Sequence, residues 1–568
     1  MKSESNRDWE VRLPQNPTAE TGLQTYNPVM RRLLANRGID TVQDAETFLV
    51  RQGPLYDPFD LIGMEAAVNR LNRAVKDGEK ITVYGDYDVD GVTATALLVQ
   101  VLRRLGGIVQ AYIPDRFEEG YGLNNAALDK LSEDGFQVVV TVDCGIRSLV
   151  EAEYARQLGL DLIISDHHEP KPELPCALAV INPKQPGDTY PEKNLAGVGL
   201  AFKIAQGLFQ RNPVEKTCAE DWLDLVAIGT VADIVPLVGE NRTMVKAGLE
   251  QLRRQPRQGL WSLIGAAGFQ TSANLTARDI GFMIGPRLNA AGRLESAMAA
   301  YHLLVAEDKD EAGSLAIKLD DQNRDRQERT LAMVHIAETL FEAQEFTPYL
   351  LFACRPEFDQ KSTGLVGLVA SRLTETYYRP SVVACQVDGF VRASCRSIPE
   401  FHITHALDEC SHLLVRHGGH AMAAGFTVRQ ENLAELVQSL QTIAARELAD
   451  KELRPVLYYD LELSLSELKP VILTDLDRLE PTGVENPGAL FVSRNLQVKR
   501  VFKMGKEGQH LKLMVSDGRI TYTAVAFRMG HLADTLPAKV DLLYAYERNF
   551  YNGQVTLQLM VRDVKGVG

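Results

Sequence analysis

Four clusters of acidic and imidazole side chains, each placed where a short apolar run ends, carry the chemistry of this chain. They are Gly85-Asp86-Tyr87-Asp88-Val89-Asp90-Gly91, Val142-Asp143-Cys144-Gly145, Ser165-Asp166-His167-His168 and Val231-Ala232-Asp233. Hard divalent cations prefer carboxylate oxygen, and manganese also accepts imidazole nitrogen. A mixed Asp/His ligand set without cysteine therefore points to Mn²⁺ or Mg²⁺ and away from structural zinc. Two such ions about 3.5–4 Å apart lower the pKa of a water and stabilise the attacking and leaving oxygens of an in-line displacement at phosphorus.

Within this set Asp143 is placed to bridge two ions, and His167 is the preferred imidazole ligand. His168 suits an outer group or a phosphate donor, and Asp166 an orienting group for both histidines. The spacing Asp86-x-Asp88-x-Asp90 puts alternate side chains on one side of an extended segment, with Gly85 and Gly91 allowing the backbone to turn closely. The expected catalytic residues are Asp86, Asp88, Asp90, Asp143, Asp166, His167, His168 and Asp233. The expected metal ligands are Asp86, Asp88, Asp90, Asp143, His167 and Asp233. Taken singly, a D-x-D is usually a solvated loop and a His-His pair usually surface or core. Recurrence at the ends of successive strand-like runs is what favours a metal centre.

The elements that must gather these residues are legible as a pattern. The runs 81–84, 138–142 and 160–164 are mainly apolar and do not alternate, as suits a parallel sheet covered on both faces. In such sheets ligands bind beyond the carboxyl ends of the strands, so clusters distant in sequence can converge. Residues 80–235 alternate strand-like and helical patterns, with a helix at 91–105, further strands at 108–113 and 177–181, and a helix at 222–232 that delivers Asp233. A charge-rich helical pattern at 305–346 reads as a solvated helix that also links two lobes. A second α/β unit at 349–450, with apolar runs at 349–353 and 381–385, ends in the glycine-rich stretch His417-Gly418-Gly419-His420. From about 455 short alternating strands follow, with hairpin turns at Asp517-Gly518 and Asn552-Gly553, suggesting a small OB-fold-like β-barrel.

A chain of 568 residues exceeds one hydrophobic core. The expected division is an N-terminal segment at 1–50, an α/β parallel-sheet catalytic domain at 51–300, a long connecting helix at 301–346, a smaller α/β domain at 347–455 and the barrel at 456–568. A composition of 45% hydrophobic and 24% charged residues is that of an ordinary globular protein. The polar residues 1–17 and the lack of an 18-residue apolar stretch argue against a signal peptide or membrane span. Seven scattered cysteines without a C-x-x-C pair fit reduced thiols in a cytoplasm. The formal charge of −14 argues weakly against a surface coated for duplex binding, yet leaves room for a local basic path along a single strand.

With these motifs assembled, the chain resembles the DHH phosphoesterase superfamily, named for the Asp-His-His found here at 166–168, and within it the bacterial single-stranded-DNA-specific 5′→3′ exonucleases. The resemblance spans about residue 25 to the C-terminus. It includes Val231-Ala232-Asp233-Ile234-Val235-Pro236, Gly285-Pro286-Arg287-Leu288-Asn289-Ala290-Ala291-Gly292-Arg293, Ser394-Cys395-Arg396-Ser397, Gly418-Gly419-His420-Ala421 and Pro481-Thr482-Gly483-Val484-Glu485-Asn486-Pro487. It implies Asp88 and Asp143 around one ion, and Asp90, Asp143, His167 and Asp233 around the other. One departure stands out: many relatives carry a histidine ligand where this chain has Tyr84, which leaves Asp86 or water to complete the first site.

The resemblance further implies a 5′-phosphate pocket from Arg116, Ser394 and Arg396, since fixed guanidinium groups bind phosphate bidentately. Arg287 and His420 would meet the scissile or adjacent phosphates, with Asn289 counted among the substrate-binding residues and Tyr121 as a base-stacking platform. Surface ion pairing of the arginines and packing of Tyr121 in its loop are the plainer alternatives. In the barrel, Arg494, Lys499, Arg500, Lys503, Lys506 and Lys512 interleave with Phe502, Tyr522 and Phe527, a composition suited to single-strand binding.

The expectation is a cytoplasmic exonuclease that degrades single-stranded DNA 5′→3′ to 5′-mononucleotides by two-metal-ion in-line hydrolysis, with no covalent intermediate. The resemblance places it in recombination and repair beside a single-strand-binding protein and a RecQ-type helicase. One rival is a DHH enzyme for short substrates such as oligoribonucleotides, cyclic dinucleotides or pyrophosphate; the barrel and the length oppose it. Another is a non-catalytic single-strand-binding scaffold, which should have lost ligands that are all present here.

Overall fold

The computed structural model describes residues 7–567 apart from 15, 50–52, 54, 117–118, 121, 295, 343–347 and 552–553. The chain forms two units: Val11–Asp321 with Tyr459–Gly568, and Gln322–Tyr458 with the N-terminal residues up to Glu10.

The first unit is built on five parallel strands, β1 (Lys80–Gly85), β2 (Ile108–Tyr112), β3 (Val138–Val142), β4 (Asp161–Ser165) and β5 (Ala179–Ile181), in the order β2-β1-β3-β4-β5. Every residue of β3 is buried, and all are valine except Thr141, whose hydroxyl donates to the Cys144 carbonyl at 2.7 Å, as suits a strand covered on both faces. The strand order reverses between β1 and β3, and such a reversal opens a crevice at the carboxyl ends of the strands. Asp86 and Asp143 directly follow β1 and β3 there.

Helix α1 (Val89–Arg104) leaves this crevice and is buried along nearly its whole length. It packs among α3 (Gly197–Arg211) and α4 (Leu223–Ala232), whose apolar faces share its core. Helix α2 (Asn125–Glu133), capped by Asn124, covers the other face of the sheet. A π-helical turn at Ile280–Ile284 leads into α5 (Gly285–Leu294).

Helix α6 (Lys309–Glu342) runs 34 residues from one unit into the other. The expected span began earlier, but residues up to 305 belong to a separate helix, Met298–Val305. The helix is also less solvated than its charge suggests, because Ala312, Ala316 and Leu319 are buried in one unit and Met333, Val334, Ala337 and Phe341 in the other.

The second unit holds β6 (Leu351–Cys354), α7 (Val366–Tyr377), β7 (Ser381–Val387), β8 (Phe390–Arg396), β9 (Leu414–His420) and β10 (Ala423–Arg429). Its sheet order is β9-β10-β8-β7-β6, antiparallel except for the β6–β7 pair. Back in the first unit, β11 (Phe491–Met504), β12 (His510–Ser516), β13 (Thr521–Ala526), β14 (Lys539–Tyr551) and β15 (Gln554–Gly566) pair in the order β11-β12-β13-β15-β14, antiparallel except for the parallel β13–β15 pair, and β14 closes onto β11. This is a closed five-strand barrel without a free edge among those strands. Its core is completed by the N-terminal helices Pro28–Ala35 and Val42–Leu49. The Asn552-Gly553 turn lies outside the described residues.

Candidate metal centre and nucleic-acid surfaces

The first acidic cluster does not continue as an extended segment. The strand ends at Gly85, Asp88 caps α1 by accepting from the Asp90 and Gly91 amides at 2.9 and 3.2 Å, and Asp90 lies in the first helical turn. The three carboxylates thus reach one place through a strand-to-helix turn. An acceptor side chain at an N-cap satisfies helix amides that would otherwise lack partners, and that drives helix formation here. Gly91 is required at this turn, since a Cβ there would lie 2.5 Å from the Asp86 carbonyl oxygen.

Asp143 follows β3 in the left-handed region, φ 63°, a cost that marks functional sites. His167 Nε2 lies 3.1 Å from Asp143 Oδ1, 3.5 Å from Asp233 Oδ2 and 3.8 Å from Asp90 Oδ2. Asp233 is the C-cap of α4, as expected. Three groups bring single donor atoms within 4.8 Å of one another: Asp86, Asp88 and Asp143; Asp90, His167 and Asp233; and Asp143, His167 and His168.

Asp166 accepts from His168 through Nδ1 at 2.7 Å and its amide at 3.1 Å, and from the Ile146 amide at 2.9 Å. It therefore orients His168 and the turn after Asp143. No hydrogen bond joins Asp166 to His167 among the described residues, and only the charge of Asp166 is felt there.

The electrostatics are those of a site suited to cations. Burial, then the Asp88 charge, pushes Asp86 well above the usual carboxylate range and Asp90 to about 7. Burial and the neighbouring aspartates raise Asp143 likewise and Asp233 to about 9. His167 is driven down to about 3 by burial and by His168, so it is a neutral donor. Burial would raise Asp166 too, but the His168 hydrogen bond holds it below its ordinary value. Asp86 Oδ1 and His167 Nε2 are buried without a hydrogen-bond partner among the described residues. Buried acceptors are rarely left so, and carboxylate plus imidazole is a donor set that Mn²⁺ or Mg²⁺ accepts.

Two residues that the sequence reading missed complete the centre. The Gly197 and Val198 amides at the start of α3 donate to Asp90 Oδ2 and Oδ1 at 2.6 and 2.8 Å. Gly197 must lack a side chain, because a Cβ would fall 2.5 Å from Asp143 Cβ. The only hint in the sequence was the short Gly197-Val198-Gly199 run.

Tyr84 is no ligand. It points into the core behind the sheet, where its hydroxyl donates to the Gly122 carbonyl at 2.9 Å and accepts from Asn124 at 3.2 Å. Asp86 stands in the donor group where the departure left a gap.

Arg116 lies with its guanidinium 4.9 Å from the Tyr87 ring, and its charge is felt at Asp86. Arg287 is half-buried and bound to Asp320 at 2.9 Å and to the Met283 carbonyl at 2.7 Å, the plainer ion-pair alternative. Asn289, two residues on, is half-buried on α5, which approaches the first cluster closely: a Cβ on Gly292 would lie 2.7 Å from the Tyr87 carbonyl oxygen. Tyr121 lies outside the described residues.

In the second unit Arg396 donates to Ser394 Oγ at 3.1 Å and to the Cys395 carbonyl. Both side chains face Gly367 at the start of α7, where a Cβ would lie 3.1 Å from Ser394 Oγ and 3.3 Å from the Arg396 guanidinium. His420 is exposed at the end of β9. On the barrel Phe502 and Phe527 are 43% and 52% exposed, whereas Tyr522 is drawn inward by its hydrogen bond to the Leu468 carbonyl. Arg494 and Lys503 are engaged in ion pairs with Glu462, Asp541 and Asp534.

Comparison with known proteins accords with this geometry. Residues 80–230 match the DHH family N-terminal domain, 349–446 the DHHA1 domain and 459–563 the RecJ OB domain. The single-stranded-DNA-specific exonuclease RecJ of Bacillus subtilis is 38% identical over 98% of this chain and 71% of its own length. The structure of RecJ from Thermus thermophilus with Mn²⁺ is similar over 99% of this chain and 80% of that one, with a TM-score of 0.83 and 29% identity. The same protein's structure with Mg²⁺ gives a TM-score of 0.78 and 28% identity over 99% of this chain and 79% of that one. With these three domain matches and this degree of identity over nearly its whole length, the chain belongs to the RecJ family of single-stranded-DNA-specific exonucleases.

Proposed function

We propose that the chain removes nucleotides one at a time from the 5′ end of single-stranded DNA, releasing 5′-mononucleotides by in-line hydrolysis without a covalent intermediate. The observation that carries this reading is the gathering of Asp86, Asp88, Asp90, Asp143, His167 and Asp233 at one crevice, with Arg116 beside it. Asp86, Asp88 and Asp143 would hold one divalent cation, and Asp90, His167 and Asp233 the other. When bound, such a pair supplies positive charge to activate water and to stabilise the oxygens around phosphorus.

The chain's own residues do the rest. Asp166 holds His168, a half-exposed imidazole that burial disfavours as a cation but that the Asp166 bond raises above its ordinary pKa. His168 is thereby a proton donor able to meet a phosphate oxygen. The Gly197 and Val198 amides fix Asp90, so the donor groups need little rearrangement when charge develops. Arg116 takes the terminal 5′ phosphate in one unit, and Ser394, Arg396 and His420 serve phosphates in the other. Asn289 and Arg287 line the path from α5. Phe502 and Phe527 offer ring faces to bases of any sequence farther along the strand.

A cytoplasmic setting is supported by the free cysteines and by the finding that no helix among the described residues is long and apolar enough to cross a membrane. Repair work alongside a single-strand-binding protein and a RecQ-type helicase rests on resemblance to the family. The test is digestion of end-labelled single and double strands with Mn²⁺ or Mg²⁺, with and without chelator. Cation-dependent release of mononucleotides from the 5′ end of single strands is expected. Equal digestion of 5′- and 3′-blocked strands would end the polarity assignment, and turnover of dinucleotides alone would favour a small-substrate DHH enzyme.

A further inference from the structure

Tyr84 and Tyr112 stand opposite each other at the carboxyl ends of β1 and β2, with ring centroids 4.9 Å apart. Each phenol reaches into the segment that follows β2, and each holds a different end of it. The Tyr112 hydroxyl donates to Glu119 Oε1 at 2.5 Å, while Glu119 Oε2 accepts from the Asp115 amide at 2.6 Å. The Glu119 and Gly120 amides return to the Asp115 carbonyl at 2.9 and 3.1 Å. In sequence, Arg116 lies between the residues that these bonds join. Tyr84 bonds to Gly122 and Asn124, and Asn124 in turn caps α2 through the Ala127 amide at 2.8 Å.

A buried phenol needs a polar partner, and that alone would account for Tyr84. It does not account for Glu119, a half-buried carboxylate three residues from Arg116 whose two oxygens are both given to Tyr112 and Asp115. Engaged in this way, Glu119 does not neutralise the guanidinium, which is left to rest against Tyr87 and face an incoming anion. Tyr84 also lies on the strand that delivers Asp86 and Asp88. One strand end thus sets both the acidic cluster and the loop bearing the arginine.

We infer that Tyr84, Tyr112 and Glu119 are positioning residues that fix Arg116 relative to Asp86 and Asp88, so that the 5′ phosphate and the bond to be cut are held one nucleotide apart. This inference rests on the reading of Arg116 as the 5′-phosphate donor. An arginine on an unanchored loop would lose affinity to the cost of ordering it, and a fixed one does not.

The experiment measures KM and kcat for 5′-phosphorylated and 5′-hydroxyl single strands, together with product length, on the full chain. Tyr112→Phe removes one oxygen and Glu119→Ala removes the bridge. For both, KM for the phosphorylated strand should rise about ten-fold, the effect of losing a charge-assisted hydrogen bond. In the same variants kcat and the hydroxyl strand should change by less than two- to three-fold, and dinucleotide products should appear. Glu119→Gln keeps an oxygen for the Asp115 amide and an NH₂ for the Tyr112 oxygen, and should restore most of the preference. Arg116→Ala is the reference and should abolish the preference. If Arg116→Ala abolishes it while Tyr112→Phe and Glu119→Ala keep the parent ratio, the positioning role is refuted. If Arg116→Ala itself leaves the ratio intact, the reading of Arg116 fails instead. Should Glu119→Ala not fold, Tyr112→Phe decides alone.

Discussion

Replacing Gly197 by alanine tests how the metal centre is held together, because it changes no ligand. The added methyl would sit 2.5 Å from Asp143 Cβ and 2.9 Å from its Cγ and Oδ1. Carbon atoms pack at about 3.5–4.0 Å, so roughly 1 Å of separation must be found. Asp143 has little room to give it, since its backbone is in the left-handed region and its amide is bonded to the Ser165 carbonyl at 3.0 Å. Helix α3 must recede instead, and the two amides at its start then stretch away from Asp90. A displacement of about 1 Å within a catalytic set costs on the order of 100-fold in rate. Weakening two charge-assisted hydrogen bonds, at about 1.5–3 kcal/mol for each one lost, loosens Asp90 and raises the cation concentration needed for half-maximal activity. Steady-state digestion of a single strand across a Mn²⁺ titration, with circular dichroism to confirm folding, reads both effects. Gly199→Ala is the control, because its Cβ would meet Leu195 and Met244 at an ordinary 3.5–3.7 Å; it should stay within about two-fold of the parent. Parent-like rate and cation dependence in Gly197→Ala would refute the account of how α3 is packed.

Asp90 and Asp233 have folded pKa values of about 7 and about 9, against about 3.9 in an unfolded chain. In chelator their contribution to stability is therefore complete below about pH 4 and lost as pH rises through those values. Scanning calorimetry should show the cation-free Tm falling between pH 6 and 9 while the Mn²⁺-induced rise in Tm grows; a rise independent of pH would contradict the shared burial of these carboxylates. Arg242 lies 3.9 Å from the Phe48 ring and donates to the carbonyls of Phe48, Arg478, Leu479, Glu480 and Pro481, tying the N-terminal helices and the lead into the barrel to the helix Gly239–Arg254. Arg242→Ala should lower stability by about 3 kcal/mol in urea unfolding, since buried carbonyls lose their donors, and a loss under 1 kcal/mol would refute that joint. Phe502→Ala and Phe527→Ala should each weaken binding of long oligonucleotides by about 1–3 kcal/mol, the usual worth of a base stacked on an aromatic ring, with no change for dinucleotides; an equal change on both lengths would remove the barrel from the substrate path.

Chain order and residue type were enough to find the acids. Asp86, Asp143 and the pair Asp166 and His167 each follow a short, mainly apolar run that reads as a buried strand, and a parallel sheet sends all its strand ends to one rim. That argument is local at each strand and needs no knowledge of partners. The spacing of Asp86, Asp88 and Asp90 was legible as a cluster but misread as extended, because a capping aspartate and a strand aspartate look alike until the helix start is located.

What the fold alone decided concerns groups whose partners are remote in sequence. Asp90 is held by amides 107 and 108 residues away, and an amide carries no mark in the side-chain alphabet. Tyr84 turned away from the metal centre and Glu119 turned away from Arg116 because strand pairing and loop closure set their directions, and neither is written in the residue names. Local patterns determined which donors exist and which rim they share. Long-range packing, acting through backbone groups common to every residue, determined which donors meet and which are held apart.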